Sequence, residues 1–342
     1  MSNNPTKMLL LTTLIGGILV SISSNSWLGA WMGLEINLMS FIPLMLSQDN
    51  IFTTEASLKY FVIQALASST LLFLVMMKAL VSPTPAADGK SIYECLMMTP
   101  LLLKVGATPL HWWFPSVMEG LSWTNCLLMM TVQKTAPLML ISYLASTNLM
   151  TLSIIVMSVI VGSMGGMNQT STRKILTYSS INHTGWMLMA LLSGSNTWIL
   201  YFAIYSLLTS TVVMITKTFN ISFINQAMTT TSKKAAKFML FTSLLSLGGL
   251  PPFIGFLPKW TVIQTMITNN LNFTMTVMVV TSLATLYYYL RMCYSSFIIL
   301  HNEVKWNIWP HKEESQILIY AIILSSTSML GLITCTMITN VS

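Results

Sequence analysis

Apolar residues run along this chain in blocks of about twenty, parted by short polar stretches. That is the length of a bilayer-crossing helix. The roughly ten-residue alternating segments of a membrane barrel do not occur. A hydropathy reading predicts an all-α polytopic membrane protein with eleven spans, near 8–24, 27–47, 57–80, 92–111, 124–145, 148–167, 173–193, 197–218, 236–268, 272–298 and 315–338. Two blocks are interrupted. The fourth reads Gly-Ala-Thr-Pro-Leu-His-Trp-Trp-Phe-Pro from Gly106, and the ninth, longer than one span needs, reads Gly-Gly-Leu-Pro-Pro-Phe-Ile-Gly-Phe-Leu-Pro-Lys-Trp over 248–260. Pro109 cannot donate to the carbonyl of Val105 and clashes with it, Gly106 loosens the same turn, and Pro251 and Pro252 act likewise in the ninth block. Broken backbone at membrane depth needs protein or a water-filled cavity around it.

The breaks recur in register. Spans 1 to 5 and 6 to 10 start at an offset of roughly 140–150 residues, and the fourth span of each set is the broken one. This predicts a first five-helix repeat over 1–147, a second over 148–298, and a loop with one further helix over 299–342. Five is odd, so the second copy is expected to enter the membrane from the opposite side, the arrangement of inverted repeats around an ion pathway.

Composition supports the class. Of 342 residues 54% are hydrophobic and 7% charged, against about 25% charged in soluble domains. The basic residues then sort by side. Lys7, Lys59, Arg173, Lys174, Lys217, Lys233, Lys234, Lys237, Arg291, Lys305 and Lys312 fall on the side of the N-terminus, and only Lys78 and Lys90 on the other. That bias places the N-terminus in the compartment where insertion began, with the C-terminus across the membrane. The net charge of +7 therefore reads as topology and contact with anionic lipid, and not as nucleic-acid binding. No targeting segment precedes the first apolar run, which is expected to stay as a membrane span. Cys95, Cys126, Cys293 and Cys335 show no Cys-x-x-Cys pair, which argues against a zinc or iron–sulfur site.

Four ionisable residues lie inside the spans: Glu35, Lys104, Lys134 and Lys259. Each costs about 2.5 to 3.5 kcal/mol on insertion scales, so such residues are by default functional and face the protein interior. Lys104 precedes the first break and Lys259 follows the second. Lys134 sits three residues before Pro137, which frees the carbonyl of Gln133. Burial disfavours the charged form of such groups and lets them exchange protons through water. The expectation is a charge pair between Glu35 and Lys104, continued by Lys134 and Lys259. His111, beside the first break, and His183, within the seventh span, suit a proton shuttle or a hydrogen-bonded core equally well. Buried ion pairs that only fix packing remain the structural alternative.

Taken together, the glutamate of the second span, Lys-x-Gly-Ala-x-Pro-x-His-x-Trp at 104–113, Lys-Thr-Ala-Pro at 134–137 and Gly-Leu-Pro-Pro-x-x-Gly-Phe-x-x-Lys-Trp at 249–260 resemble the antiporter-like subunits of respiratory complex I. The resemblance covers essentially the whole chain. It implies two inverted five-helix bundles and proton translocation, with Glu35, Lys104, Lys134 and Lys259 as the transfer residues. Relatives with fourteen spans carry three more at the N-terminus, and the 28 methionines look like those of a mitochondrially encoded chain. It further implies the mitochondrial inner membrane, with the N-terminus in the matrix and the C-terminus in the intermembrane space. The implied partners are other membrane subunits of the complex, neighbouring antiporter-like ones among them, and an anionic lipid such as cardiolipin. No redox cofactor is expected on this chain, with NADH, FMN, iron–sulfur clusters and ubiquinone handled elsewhere in the assembly. A cation/proton antiporter on the same fold and a purely structural membrane subunit are the rival readings.

Overall fold

The two apolar runs with glycine–proline breaks, and the fifth run without one, become pairs of shorter helices, and the other described runs become single long helices. The computed structural model describes residues 5–46, 50–81, 87–224, 226, 234–297, 326, 328, 329 and 331. Two compact units divide between Ile155 and Val156. The first holds α1 (Pro5–Ser23), α2 (Trp27–Met45), α3 (Ile51–Val81), α4 (Ala87–Val105), α5 (Trp113–Gly120), α6 (Trp123–Met130) and α7 (Val132–Ser142). Next comes α8 (Leu149–Met167), within which the division falls. The second unit holds α9 (Thr172–Ser193), α10 (Ser195–Thr218), α11 (Lys234–Gly248), α12 (Phe256–Thr268) and α13 (Asn272–Phe297). Among the described residues there is no strand, only an isolated bridge between Ser171 and Phe223.

Among the described residues, six helical stretches are long and apolar enough to cross a membrane: Pro5–Ser23, Trp27–Met45, Ile51–Leu80, Leu149–Met167, Asn196–Thr218 and Asn272–Tyr294. Three other predicted spans are the divided ones. The 92–111 run becomes α4 and a turn leading to α5, 124–145 becomes α6 and α7, and 236–268 becomes α11 and α12. The 173–193 run is α9, continuous but rich in polar residues: Ser179, Ser180, Asn182, His183 and Thr184 are all buried. The run at 315–338 lies outside the described residues apart from 326, 328, 329 and 331.

Burial follows membrane logic. Leu9, Ile15 and Leu19 of α1 and Leu58, Leu66 and Phe73 of α3 are exposed, while serines, threonines, asparagines and the three intraspan lysines are inside. Where the surroundings are as apolar as the protein, helices associate through close packing and polar contacts. The α1–α2 hairpin shows both. Ser26 caps α2, its side chain accepting a 3.2 Å hydrogen bond from the Gly29 N–H. Gly17 and Gly33 bring the two backbones together: a Cβ on Gly17 would stand 2.9 Å from the Asn37 nitrogen, and one on Gly33 2.5 Å from the Ser21 nitrogen.

Candidate functional site

The ends of α4 and α11 are the same device. At the end of α4, Gly106 takes φ +79°. Its N–H bonds the Leu103 carbonyl at 3.2 Å, and the Ala107 N–H reaches the Leu102 carbonyl at 3.0 Å. At the end of α11, Gly249 takes φ +76°. Its N–H bonds Ser246 at 3.1 Å, and the Leu250 N–H points to Leu245 at 3.5 Å. These paired 5→2 and 6→1 bonds around a left-handed glycine are the Schellman helix end. Glycine therefore sets where each helix stops, and Pro109, Pro251 and Pro252 prevent its resumption.

Each end leaves carbonyls that lipid cannot satisfy, and a side chain from the next segment answers each. The Trp113 indole N–H donates to the Leu103 carbonyl at 3.2 Å. The Lys259 Nζ donates to the Gly248 carbonyl at 2.8 Å. Within the second break the Ile254 N–H is taken by the Ser328 carbonyl at 3.1 Å.

In the first unit Lys104, in the last turn of α4, and Lys134, in the first turn of α7, are both buried, at 8% and 2% exposure. They line one cavity together with Asn37, Tyr60, Gln64, Trp113, Phe114 and Gln133. It offers the centre of a water molecule about 20 Å³, room for about one water. The Lys134 Nζ stands 5.1 Å from the centre of the Phe114 ring, within cation–π range. A polar chain that the sequence reading did not single out crosses the same space. Gln133 donates to Asn37 Oδ1 at 3.0 Å, and the Tyr60 hydroxyl points to Gln133 Oε1 at 3.4 Å. The only signal for it was that uncharged polar residues recur in these spans.

Other expected details fall differently. Glu35 is partly exposed on α2, and the ion pair on the neighbouring α3 is between Lys59 and Glu55, at 2.6 Å. The fifth predicted span is interrupted at Thr131, whose N–H and hydroxyl both bond the Leu127 carbonyl, at 3.0 and 2.7 Å. Pro137 lies within α7 beyond that interruption. His111 is half-buried, its Nδ1 3.3 Å from the Pro109 carbonyl, and it does not line the cavity.

In the second unit Lys259, 6% exposed, follows the break on α12, with its Nζ 5.7 Å from the centre of the Trp186 ring. His183 is buried on α9, and its Nδ1 is 2.9 Å from the Tyr201 hydroxyl. His183, Tyr201 and Tyr205 border a small cavity of about 10 Å³ with Gly255 and Pro258 of the second break. Each unit thus places a buried lysine, a Schellman break and uncharged hydrogen-bonding groups together. Such a set can hold a proton, pass it through water and change its charge. Among the described residues no three His, Cys, Asp or Glu side chains converge as a metal site.

Comparison with known proteins gives a consistent picture. The family described as "NADH:quinone oxidoreductase/Mrp antiporter, TM" matches residues 24–285. The chain is 49% identical to NADH-ubiquinone oxidoreductase chain 2 of Anopheles gambiae, over 98% of both chains. It is 38% identical to the Loxodonta africana protein of the same name, over 87% of both. Among solved structures, a chain of respiratory complex I from Thermus thermophilus superposes with a TM-score of 0.86 at 23% identity, covering 98% of this chain and 79% of that one. A chain of the Mrp complex from Dietzia gives 0.81 at 16% identity, covering 94% and 74%. At those identities the likeness speaks to the fold.

Proposed function

The chain belongs to the NADH:quinone oxidoreductase/Mrp antiporter membrane family, and from that premise we propose that it is a proton-translocating membrane subunit of an NADH–ubiquinone oxidoreductase. The observation that carries the reading is the enclosure of Lys104 and Lys134 in one cavity with water-sized room, beside a helix break whose carbonyl is held by Trp113. A buried ammonium is costly. Two on one cavity mark a place where charge is meant to change.

Glu35 supplies the lever. In this reading a carboxylate brought near the buried Lys104 ammonium favours the charged form, and drawing it away favours release of the proton. The cavity that Lys104 and Lys134 both line, bordered also by the Asn37–Gln133–Tyr60 chain, is read as the path between them. Lys259 and His183 serve the second unit, and His111 is read as a relay at the first break. The eleven spans are read as two inverted five-helix repeats and one further helix, a reading supported by identical Schellman ends at Gly106 and Gly249. The site is read as a protonic one, with the redox groups of the oxidoreductase on other subunits. The membrane is the mitochondrial inner membrane, with the N-terminus in the matrix. Other membrane subunits of the complex, antiporter-like ones among them, and anionic lipid such as cardiolipin are the neighbours.

Lys104→Met and Lys134→Met in the assembled oxidoreductase test the reading. Assembly near normal with lowered proton translocation is expected, and Lys104→Arg should impair it too, because arginine stays charged. Fully assembled variants that pump with unchanged rate and proton-to-electron ratio would leave only a packing role.

A further inference from the structure

Resting on the reading of the second unit as a proton path, we propose that the adjacent tyrosines Tyr288 and Tyr289 of α13 form a buried water-binding step that continues the path from the Lys259 break to the end of α8. Both side chains are fully enclosed, at 0% and 1% exposure. The Tyr289 hydroxyl approaches Ser179 and Tyr288, but neither tyrosine hydroxyl completes a well-formed hydrogen bond among the described residues, and the same holds for Asn182 Oδ1 and Trp186 Nε1 on α9. Buried polar groups in native proteins are almost always paired with protein or with ordered water. Four unpaired atoms on two helices of one unit therefore point to water as the missing partner.

The placement gives that water a direction. The Tyr289 ring packs against Gly248, where a Cβ would meet its Cδ2 at 3.6 Å. Gly248 is also the residue whose carbonyl holds the Lys259 Nζ. The Tyr288 ring lies against Gly166, where a Cβ would stand 2.9 Å from its Cε1, so only glycine leaves the ring that place. The two rings touch edge to face, with centres 4.7 Å apart. One turn further on, Arg291 donates to the carbonyls of Met167 and Gln169 and closes the end of α8. Arg291 belongs to the side of the chain that carries most of the basic residues. Across the break from Tyr289, the Tyr201 hydroxyl is bonded to His183, and both border the small cavity beside Gly255 and Pro258. The Tyr289 and Tyr288 hydroxyls, bridged by water, thus lead from the break at Gly248 toward the Arg291 end of α13. A tyrosine hydroxyl donates and accepts at once, which is what a relay through water requires; no net charge need rest on it.

The test uses the whole assembled oxidoreductase. A density map that resolves water elsewhere in the complex should show ordered water within hydrogen-bond distance of Tyr288 Oη or Tyr289 Oη. Tyr288→Phe with Tyr289→Phe keeps both rings and removes both hydroxyls. The double variant is expected to assemble and to translocate protons about fivefold more slowly, the factor matching one lost hydrogen bond of about 1 kcal/mol. A dry tyrosine pair, or an assembled double variant pumping at full rate, overturns the proposal. If the double variant fails to assemble, the water in the unmodified complex decides alone. Lys259→Met is run in parallel. Pumping lost there and kept in the tyrosine variant removes this branch only, whereas pumping kept in both removes the second-unit path itself.

Discussion

Lys259 reaches back across its own helix break: its Nζ donates a 2.8 Å hydrogen bond to the carbonyl of Gly248, the last residue of α11. A cation at the C-terminal end of a helix meets the negative pole of its dipole. The lysine therefore satisfies a stranded carbonyl and is itself stabilised. Lys259→Met removes both benefits and leaves a buried acceptor unpaired, a loss of about 1 to 3 kcal/mol. Thermal unfolding of the complex should show destabilisation beside lowered pumping; an unshifted unfolding temperature would mean that the carbonyl finds another partner.

The two break glycines differ in their surroundings, which separates backbone strain from steric conflict. Alanine at Gly106 would meet only ordinary contacts, the nearest 3.5 Å away on Phe114, whereas alanine at Gly249 would stand 2.9 Å from the Lys259 Cδ. Both substitutions carry the left-handed penalty of roughly 1 to 2 kcal/mol. Gly249→Ala also displaces the lysine, so it should lower proton translocation more than Gly106→Ala. Equal activity in the two variants, compared at equal assembly, would contradict this.

The Trp113 indole is expected to hold the first break. Trp113→Phe keeps most of the ring's bulk and removes the 3.2 Å bond to the Leu103 carbonyl. The Leu103 carbonyl keeps its bond from the Gly106 N–H, so the loss is that of one hydrogen bond, about 0.5 to 1.5 kcal/mol, measurable as a lower yield of assembled complex or a lower unfolding temperature.

Packing between α1 and α2 should be intolerant at one glycine and indifferent at another. Gly33→Val would drive a side chain into the Ser21 backbone, while a Cβ at Gly16 meets nothing within 4 Å. Native gel analysis should find Gly33→Val absent from the assembled complex and Gly16→Ala present at normal levels.

Protease protection of terminal tags in mitoplasts, whose outer membrane has been opened, tests the proposed topology. A protected N-terminal tag and a C-terminal tag open to the intermembrane space are expected from the charge sorting. Both tags on one side would overturn the odd span count.

Much of this was legible in the sequence, for physical reasons that operate locally. Lys104, Lys134 and Lys259 stand out because charge inside an apolar run is costly wherever the run goes, and all three are buried. The breaks were legible because proline lacks a donor and glycine tolerates positive φ; Gly106 and Gly249 adopt it. The tertiary structure decided what depends on helix rotation and approach. Asn37, Tyr60 and Gln133 are unremarkable in their own spans and become a chain only because α2, α3 and α7 turn those faces to one cavity. Thr131 carries no breaking tendency by composition, yet its hydroxyl competes for the Leu127 carbonyl and α6 ends there. Glu35 was readable as a membrane carboxylate, but its distance from Lys104 was not: side-chain charge is a property of the residue, whereas separation is set by how neighbouring helices pack.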